Sequence, residues 1–392
     1  MLLTTAICNC YAMKGTFKRI SRRFFIIATI IAVLLFGLAC LAAYINPGKH
    51  WYVGMLGVLF IFFLALLLIF SFGWFLARSR WAWLPLIAII AGWGQVRAVF
   101  GMHPFTSFSA QQPEGAIRVM QWNVSRWDEM KKRKRTDTTY RLRMFDYIQK
   151  MDPDILCFQE FFESKDIRFF PSNVGYITNK LNYPYHYFAI DMNWWKGNFQ
   201  HGAAIFSRFP IIDSARLRYD SPYPGKKGES LIRVTIDING RKINVFTTHL
   251  QSFHFNGDDY NNISILKNPE DNKDKVLEAG KGIIYRFRNA YQRRYKQADT
   301  IRKELDKSRY PTIITGDFND VPNSYTYNTI RNDMQDAFVK KGFGLGRTFF
   351  FISPTLRIDY ILAGKEFEIR QYNRDPLPYS DHYPVVADLQ LK

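Results

Sequence analysis

Long apolar runs occupy the first quarter of the chain, and short runs of alternating apolar and polar residues occupy the remainder. Residues 24–45 are uncharged and would span about 33 Å as a helix, which matches the roughly 30 Å hydrocarbon core of a bilayer. A second uncharged run covers residues 53–77, and a third covers residues 81–100 with Arg97 near its end. The pattern predicts three transmembrane helices after a basic segment, residues 1–23.

A cleavable signal peptide is the alternative for the first run, because small residues lie at Ala42 and Ala43. The apolar core of a signal peptide is typically about 7–15 residues long, which is shorter than this run. We therefore expect a membrane anchor that is retained in the protein.

The charge distribution also separates the N-terminal region from the rest. Nine basic residues and no acidic residue precede Glu114, although the whole chain has 34 Asp+Glu. Basic clusters at residues 14–23 and 78–80 favour the cytoplasmic side of the inner (cytoplasmic) membrane. Three spans then place a linker, residues 101–116, and everything after it on the extracytoplasmic side. If residues 81–100 only lie on the membrane surface, the domain that follows faces the cytoplasm.

Residues 117–392 read as one domain in which β-rich runs alternate with helical stretches. Helical periodicity predicts helices over 139–150 and 285–307. Strands are expected at 117–124, 154–159, 202–206, 231–238, 243–248, 312–315, 358–362 and 385–391. This alternation favours a layered α/β domain over an all-β sandwich. A content of 47% hydrophobic and 22% charged residues excludes a wholly disordered chain.

Polar residues lie at the ends of several of these apolar strands, where ligand sites of layered α/β proteins gather. They are Asn123, Glu160, His249, Asp317, Asn319, Asp359, Asp381 and His382. Hard carboxylate oxygens suit Mg²⁺ or Mn²⁺, and an amide adds a neutral ligand. The histidines and remaining carboxylates can move protons and orient a water or phosphoryl oxygen. The set is therefore suited to cleaving a phosphate ester.

Six short motifs in a fixed order carry a family resemblance. They are QWN, FQE, TTHLQS, GDFND, RIDYIL and SDHYPV, which end or contain the polar residues named above. In this order they resemble the endonuclease/exonuclease/phosphatase superfamily, which includes DNase I, abasic-site endonucleases, sphingomyelinases and inositol polyphosphate phosphatases. The resemblance implies a four-layer α/β sandwich over residues 117–392, preceded by the transmembrane helices.

The resemblance also implies roles for individual residues. The divalent cation, Mg²⁺ or Mn²⁺, would be bound by Asn123, Glu160 and Asp381. The catalytic set would be His249, Asp317, Asn319, Asp359 and His382. Within it, Asp317 and Asn319 would position and activate the attacking water, while His249 and His382 would act at the phosphate. Asp359 would hold His382 in place.

The substrate stays open between branches of the family. Ser125 stands where abasic-site endonucleases carry an acidic residue, which weakens that assignment, and TTHLQS resembles the DNase I, sphingomyelinase and phosphoinositide-phosphatase branches. Nucleic acid is favoured by the family and by the basic runs, such as residues 131–135. A phospholipid is favoured by the membrane anchor. A catalytically silent binding module is a further alternative, and no protein partner is inferred.

Three further features lie outside these motifs. His201 is either a ligand contact or a structural residue. The polar insertion 252–282 is either a solvated loop or a flap that faces the substrate. The third feature is a set of basic and tyrosine side chains in the predicted helix 285–307, which we expect on a surface face without a partner: Tyr285, Arg286, Arg288, Tyr291, Arg293, Arg294, Tyr295 and Lys296.

We predict that Glu160→Ala or His382→Ala abolishes turnover without unfolding the domain. Each substitution removes a polar group assigned to the chemistry and leaves the apolar core residues in place. Phosphodiesterase activity and circular dichroism of the purified variants measure the two quantities. Near-wild-type activity of His382→Ala contradicts the assigned chemistry.

Overall fold

The computed structural model of the protein describes residues 2–134, 140–221, 228–253, 273–350 and 355–392. Five helices come first: α1 (Leu2–Leu41), α2 (Pro47–Val58), α3 (Phe60–Leu76), α4 (Trp83–Ala91) and α5 (Trp93–Val99). A short 3₁₀ helix, Arg80–Ala82, precedes α4.

The helical region gives one clear candidate for a membrane span. Within α1, Ile20–Leu41 is long and apolar enough to cross a bilayer by itself. The predicted runs 53–77 and 81–100 each appear as a bent pair, with a 50° bend between α2 and α3 and a 64° bend between Arg80–Ala91 and Trp93–Val99. Among the described residues the helices therefore number one span, or up to three if each bent pair crosses.

The rest of the described chain alternates strands and helices. In order, these are β1 (Gly101–Met102), β2 (Ala116–Asn123), a 3₁₀ helix (Ser125–Lys134), α6 (Tyr140–Met151), β3 (Ile155–Ser164), α7 (Asn173–Asn179), β4 (Tyr185–Trp194), β5 (Phe199–Ser207), β6 (Ile211–Arg218), β7 (Ser230–Ile238), β8 (Arg241–His249), α8 (Lys273–Asp306), β9 (Thr312–Asp317), α9 (Tyr325–Arg331), β10 (Gln335–Asp336), α10 (Ala337–Lys341), β11 (Phe343–Gly344), β12 (Asp359–Ala363), β13 (Phe367–Arg374) and β14 (Val385–Leu391).

Two six-stranded sheets form the centre of the domain, with orders β10-β12-β9-β8-β7-β6 and β13-β14-β2-β3-β5-β4. Successive strand residues point to opposite faces, so Val119 packs between the sheets while Met120 packs outward. The outward face of the second sheet packs on α6, and that of the first packs on α8 and α9. The predicted four-layer α/β sandwich is confirmed.

Within the two six-stranded sheets, the strands that the hydrophobic pattern did not predict lie at the edges. They are β4, β6 and β13, together with the two-residue β10. Each of the three longer ones is half-buried or exposed over much of its length, so its pattern of apolar residues is weak. Edge strands pack against one neighbour only, and burial is the signal that a sequence pattern records.

Residues 101–116, predicted as a linker, follow the surface of the domain closely. β1 pairs with β11, and the Thr106 hydroxyl donates to the Lys341 carbonyl over 2.6 Å. Arg118 is buried, pairs with Asp388 over 2.7 Å and donates to the Ala110 carbonyl. The segment between the helices and the domain is therefore held by hydrogen bonds along its length.

The N-terminal helices contact the α/β domain directly. The Asn323 side chain donates to the Ala39 carbonyl at the end of α1 over 2.8 Å. Buried Arg357 donates to the Ala98 carbonyl in α5 over 2.6 Å. On a third side, Gln292 of α8 donates to the Gly48 carbonyl in α2 over 3.1 Å. These contacts fix how the domain sits on the helices.

We predict that Arg118→Ala lowers the free energy of unfolding by about 3–5 kcal/mol, because it leaves the buried Asp388 carboxylate unpaired. Arg370→Ala is the matched control, since Arg370 pairs with Glu368 where both side chains are exposed, and we expect a loss below about 1 kcal/mol. Denaturant unfolding of the full chain in detergent measures both, and equal losses contradict the prediction.

Candidate active site

Strand register brings the predicted residues to one end of the two sheets. His249 lies opposite Asp317 in the parallel pair β8 and β9, and Asp359 lies opposite Asp317 in the antiparallel pair β12 and β9. Asn123 ends β2 in the facing sheet. Because all four positions lie at the same edge, side chains far apart in sequence come within contact distance.

The buried carboxylate of Asp317 is the centre of this group. Its Oδ2 atom accepts a hydrogen bond from Asn123 Nδ2 over 3.1 Å and lies 3.4 Å from His249 Nε2 and 3.6 Å from His382 Nε2. Its Oδ1 atom accepts a hydrogen bond from the backbone N–H of Asn319 over 2.9 Å. Burial alone would raise the pKa of Asp317, but the charges of His382 and His249 and the hydrogen bonds outweigh burial and lower it.

His382 is held between two carboxylates. Its Nδ1 atom lies 2.9 Å from Asp359 Oδ2, as the sequence suggested, and its Nε2 atom points toward Asp317. Burial lowers the pKa of His382, but Asp359 and Asp317 outweigh that effect and raise it to about 10. Burial raises the pKa of the Asp359 carboxyl, and His382 opposes the rise. The two carboxylates therefore favour the cationic form of the His382 ring.

His249 has a second carboxylate partner that the sequence reasoning missed. Its Nδ1 atom lies 3.1 Å from Glu229 Oε1. Burial disfavours the charged ring, yet Glu229 and Asp317 raise the pKa of His249 well above its usual value. The available signal was a polar residue directly before β7, the strand that pairs with the end of β8.

Glu160 reaches the site through a local distortion of β3. A bulge interrupts the pairing of β3 with β5 between Phe158 and Phe161, and Glu160 has φ of 49°. Non-glycine residues in this region carry a conformational cost and cluster at functional sites. The bulge places the Glu160 carboxylate 3.5 Å from Asn123 Nδ2, next to Asp317.

The proposed metal ligands fit a hard divalent cation by their chemistry. The Glu160 side chain is 25% exposed, and its contacts in the described chain are long, 3.5 Å to Asn123 and 3.8 Å to Arg126. Asp381 is joined to Asn123 through the Ser380 hydroxyl, which lies 2.8 Å from the Asn123 carbonyl and 3.2 Å from Asp381 Oδ1. Carboxylate oxygens with spare lone pairs are what Mg²⁺ and Mn²⁺ bind.

A second group could also hold a metal by geometry: ligand atoms of Asp317, Asp359 and His382 lie within 4.8 Å of one another. Both ring nitrogens of His382 already face carboxylates, however, Nδ1 at 2.9 Å from Asp359 and Nε2 at 3.6 Å from Asp317. This group acts as a hydrogen-bonded ion cluster, and the Glu160 side is the more available one.

A buried chain of amides and hydroxyls lies beneath the site and was absent from the sequence reasoning. Gln121 donates to Asp359 over 3.0 Å and to Gln159 over 2.7 Å. Gln159 donates to the Thr247 hydroxyl over 2.8 Å, and Thr315 donates to the same oxygen. The chain joins the two sheets directly below the ionised groups, so it fixes their spacing.

Asn319 and His201 complete the predicted set. Asn319 has φ of 51°, and its side chain donates to the Leu250 carbonyl over 2.9 Å, which holds the turn after β9. His201 is buried beside His249 and Arg126, and its ring nitrogens have no hydrogen-bond partner among the described residues. Burial, with the nearby cations, lowers the pKa of His201 to about 3, so the ring is neutral.

Two features of the sequence fall wholly or partly outside the described residues. Most of the insertion 252–282 and Arg135 of the basic run 131–135 belong to this part of the chain. The helix that contains the basic and tyrosine side chains is described from residue 273. The prediction that these side chains form a free surface face is wrong in part. Tyr291 and Arg294 are buried, and Arg294 pairs with Asp320 over 3.2 Å.

The chain belongs to the endonuclease/exonuclease/phosphatase family, whose sequence pattern matches residues 120–382. Members of this family generally use divalent metal ions. A separate domain of unknown function, DUF8431, matches residues 22–99. No curated protein matches the chain.

Solved structures share the fold. The human Nocturnin catalytic domain with bound sulfate anion is 20% identical, with a TM-score of 0.50, covering 72% of this chain and 100% of that one. An endonuclease/exonuclease/phosphatase from Beutenbergia cavernae is 19% identical, with a TM-score of 0.46, covering 71% and 72%. One from Bacteroides vulgatus is 18% identical, with a TM-score of 0.47, covering 71% and 99%. At these identities the likeness concerns the fold alone.

We predict that Glu229→Gln lowers kcat about tenfold or more, because Glu229 is the carboxylate that keeps His249 protonated and oriented. Loss of the anion lowers the pKa of His249, so the alkaline limb of the kcat–pH profile moves to lower pH. Glu368→Gln, which alters an exposed carboxylate far from the site, is the matched control. An unmoved profile in Glu229→Gln excludes this positioning role.

Proposed function

We propose that the protein is a membrane-anchored, divalent-metal-dependent phosphohydrolase, most simply a phosphodiesterase that uses water as the nucleophile. The observation that carries the proposal is the buried Asp317 carboxylate between the imidazoles of His249 and His382, beside the partly exposed carboxylate of Glu160. An anionic phosphoryl group next to His249 and His382 gains two charge-assisted donors. A silent binding module would not need this arrangement.

The residues divide the chemistry as follows. Asn123, Glu160 and Asp381 would hold Mg²⁺ or Mn²⁺, which when bound polarises the phosphoryl oxygens and neutralises developing charge. Asp317 is ionised and accepts a hydrogen bond from the attacking water, with Asn319 orienting it. His382, positioned by Asp359, stabilises the phosphoryl oxygens, and His249 donates to the leaving oxygen.

The placement of the domain supports a membrane-surface substrate. Asn323 is six residues after Asp317, so the Ala39 carbonyl of α1 lies within about 25 Å of the reacting centre. Arg357, two residues before Asp359, donates a hydrogen bond to the Ala98 carbonyl of α5, so this helix also lies close to the site. These contacts favour a phospholipid, whereas the basic runs of the domain favour nucleic acid.

The same contacts support the predicted topology. The basic cluster 14–23 precedes the apolar part of α1, and the domain contacts the opposite end of that helix. We propose that residues 24–100 cross the inner membrane three times and that residues 117–392 form an extracytoplasmic catalytic domain. The basic pair Arg78 and Arg80 then lies on the cytoplasmic side, as the positive-inside rule requires.

We predict that the full chain in neutral detergent hydrolyses phosphodiesters with Mg²⁺ and that EDTA abolishes the activity. Mixed liposomes and supercoiled plasmid, each supplied with Mg²⁺ or with EDTA, separate a lipid substrate from a nucleic acid. Asp317→Asn should remove activity on either substrate, and Asp306→Asn, on the exposed end of α8, should not. Equal activity in EDTA, or full activity of Asp317→Asn, contradicts the proposed function.

A further inference from the structure

A basic cavity of about 320 Å³ lies between the end of β6 and the C-terminal half of α8, outside the group of residues described above. Its size is at the lower end of the range for small-molecule sites, about 300–1,000 Å³. The lining side chains that matter for charge and position are Arg218, Tyr219, Asp220, Arg293, Lys296 and Gln297. Helical spacing places the α8 members on one face.

The cavity carries an excess of positive charge. Arg218, Arg293 and Lys296 face it with Asp220 as the opposing carboxylate. Arg218 donates one bond to the Ile190 carbonyl over 3.0 Å, and its Nε atom is buried without a partner in the described chain. Within the same residues, Arg293 and Lys296 form no ion pair. A buried donor and two unpaired cations favour an anionic occupant.

The floor of the cavity is bonded to the catalytic strand. The Tyr219 hydroxyl lies 2.8 Å from the Thr248 hydroxyl, next to His249 in sequence. Gln297 accepts a hydrogen bond from the Gln251 amide over 3.0 Å. A ligand in the cavity therefore lies beside the end of β8, the strand that ends at His249.

The other side of the cavity meets helix α2. Gln292, which also lines it, donates to the Gly48 carbonyl, and the ring of Tyr295 packs so closely on Gly48 that a Cβ there would lie 2.7 Å away. Tyr44 and Tyr52, near this contact, are 61% and 54% exposed. Exposed tyrosines next to an apolar helix are typical of the membrane–water interface. This side of the cavity therefore adjoins the predicted membrane-spanning region.

We propose that this cavity binds the phosphate of an anionic phospholipid head group and so presents membrane lipid to the neighbouring catalytic centre. The presentation of lipid to the catalytic centre rests on the proposed function, because it has a purpose only if the protein hydrolyses the lipid. Binding itself needs no turnover.

The test measures binding of short-chain dihexanoyl phosphatidic acid to the full chain in neutral detergent with EDTA, by calorimetry. We expect Arg293→Gln/Lys296→Gln to raise Kd about tenfold or more, because two charge-assisted contacts are lost. Lys296→Glu, at an exposed position, should raise it as well. Arg370→Gln, which removes one exposed charge from β13 in the other sheet, is the matched control and should leave Kd unchanged.

Inorganic phosphate and glycerol 3-phosphate serve as further ligands. If either binds as tightly as the lipid, the occupant is a soluble phosphate compound and the lipid assignment is overturned. If the double variant binds the lipid with wild-type affinity, the cavity is not the site.

Hydrolysis of soluble bis(4-nitrophenyl) phosphate with Mg²⁺ tests the proposed function separately. If the wild-type protein binds the lipid but does not hydrolyse this substrate, the proposed hydrolase function is overturned and the proposed lipid site stands. If the wild type hydrolyses this substrate but the cavity variants bind the lipid normally, the proposed function stands and the proposed lipid site is overturned.

Discussion

The site depends on one electrostatic constraint, the burial of several charges within a few ångströms of each other. A buried carboxylate such as Asp317 is stable only if opposite charge and hydrogen bonds replace its lost hydration. His249, His382 and Asn123 provide that replacement, and Glu229 and Asp359 neutralise the two imidazoles in turn. Any anion that enters this centre meets donors whose orientation is already set.

The surrounding architecture protects this arrangement from both directions. From below, the amide and hydroxyl chain that begins at Gln121 joins the two sheets, so neither sheet can shift without breaking buried hydrogen bonds. From the side, Asn323 and Arg357 connect the strands that carry Asp317 and Asp359 to the N-terminal helices. The N-terminal helices and the candidate site are thus parts of one packed body.

Much of the candidate site was predictable because its residues lie at strand ends in recognisable motifs. The pairing of His382 with Asp359 was predicted and is present over 2.9 Å. Glu229 was not predicted, because it belongs to no motif and becomes a partner only through the pairing of β7 with β8. Arg294 was expected on a free surface, since a charged residue in a basic helix carries no sign of the buried Asp320 that receives it.

The sequence by itself determined the family, the layered α/β domain and the apolar N-terminal region, because periodicity, motif order and net hydrophobicity are local properties of the chain. The tertiary structure alone decided which charges meet, which side of α8 is covered and where the domain contacts the helices. These depend on burial and on pairs of residues up to about 280 positions apart, such as Asn323 and Ala39. Electrostatic free energy in a protein depends on the distance between charges and on their burial, and the order of the residues does not give either quantity directly.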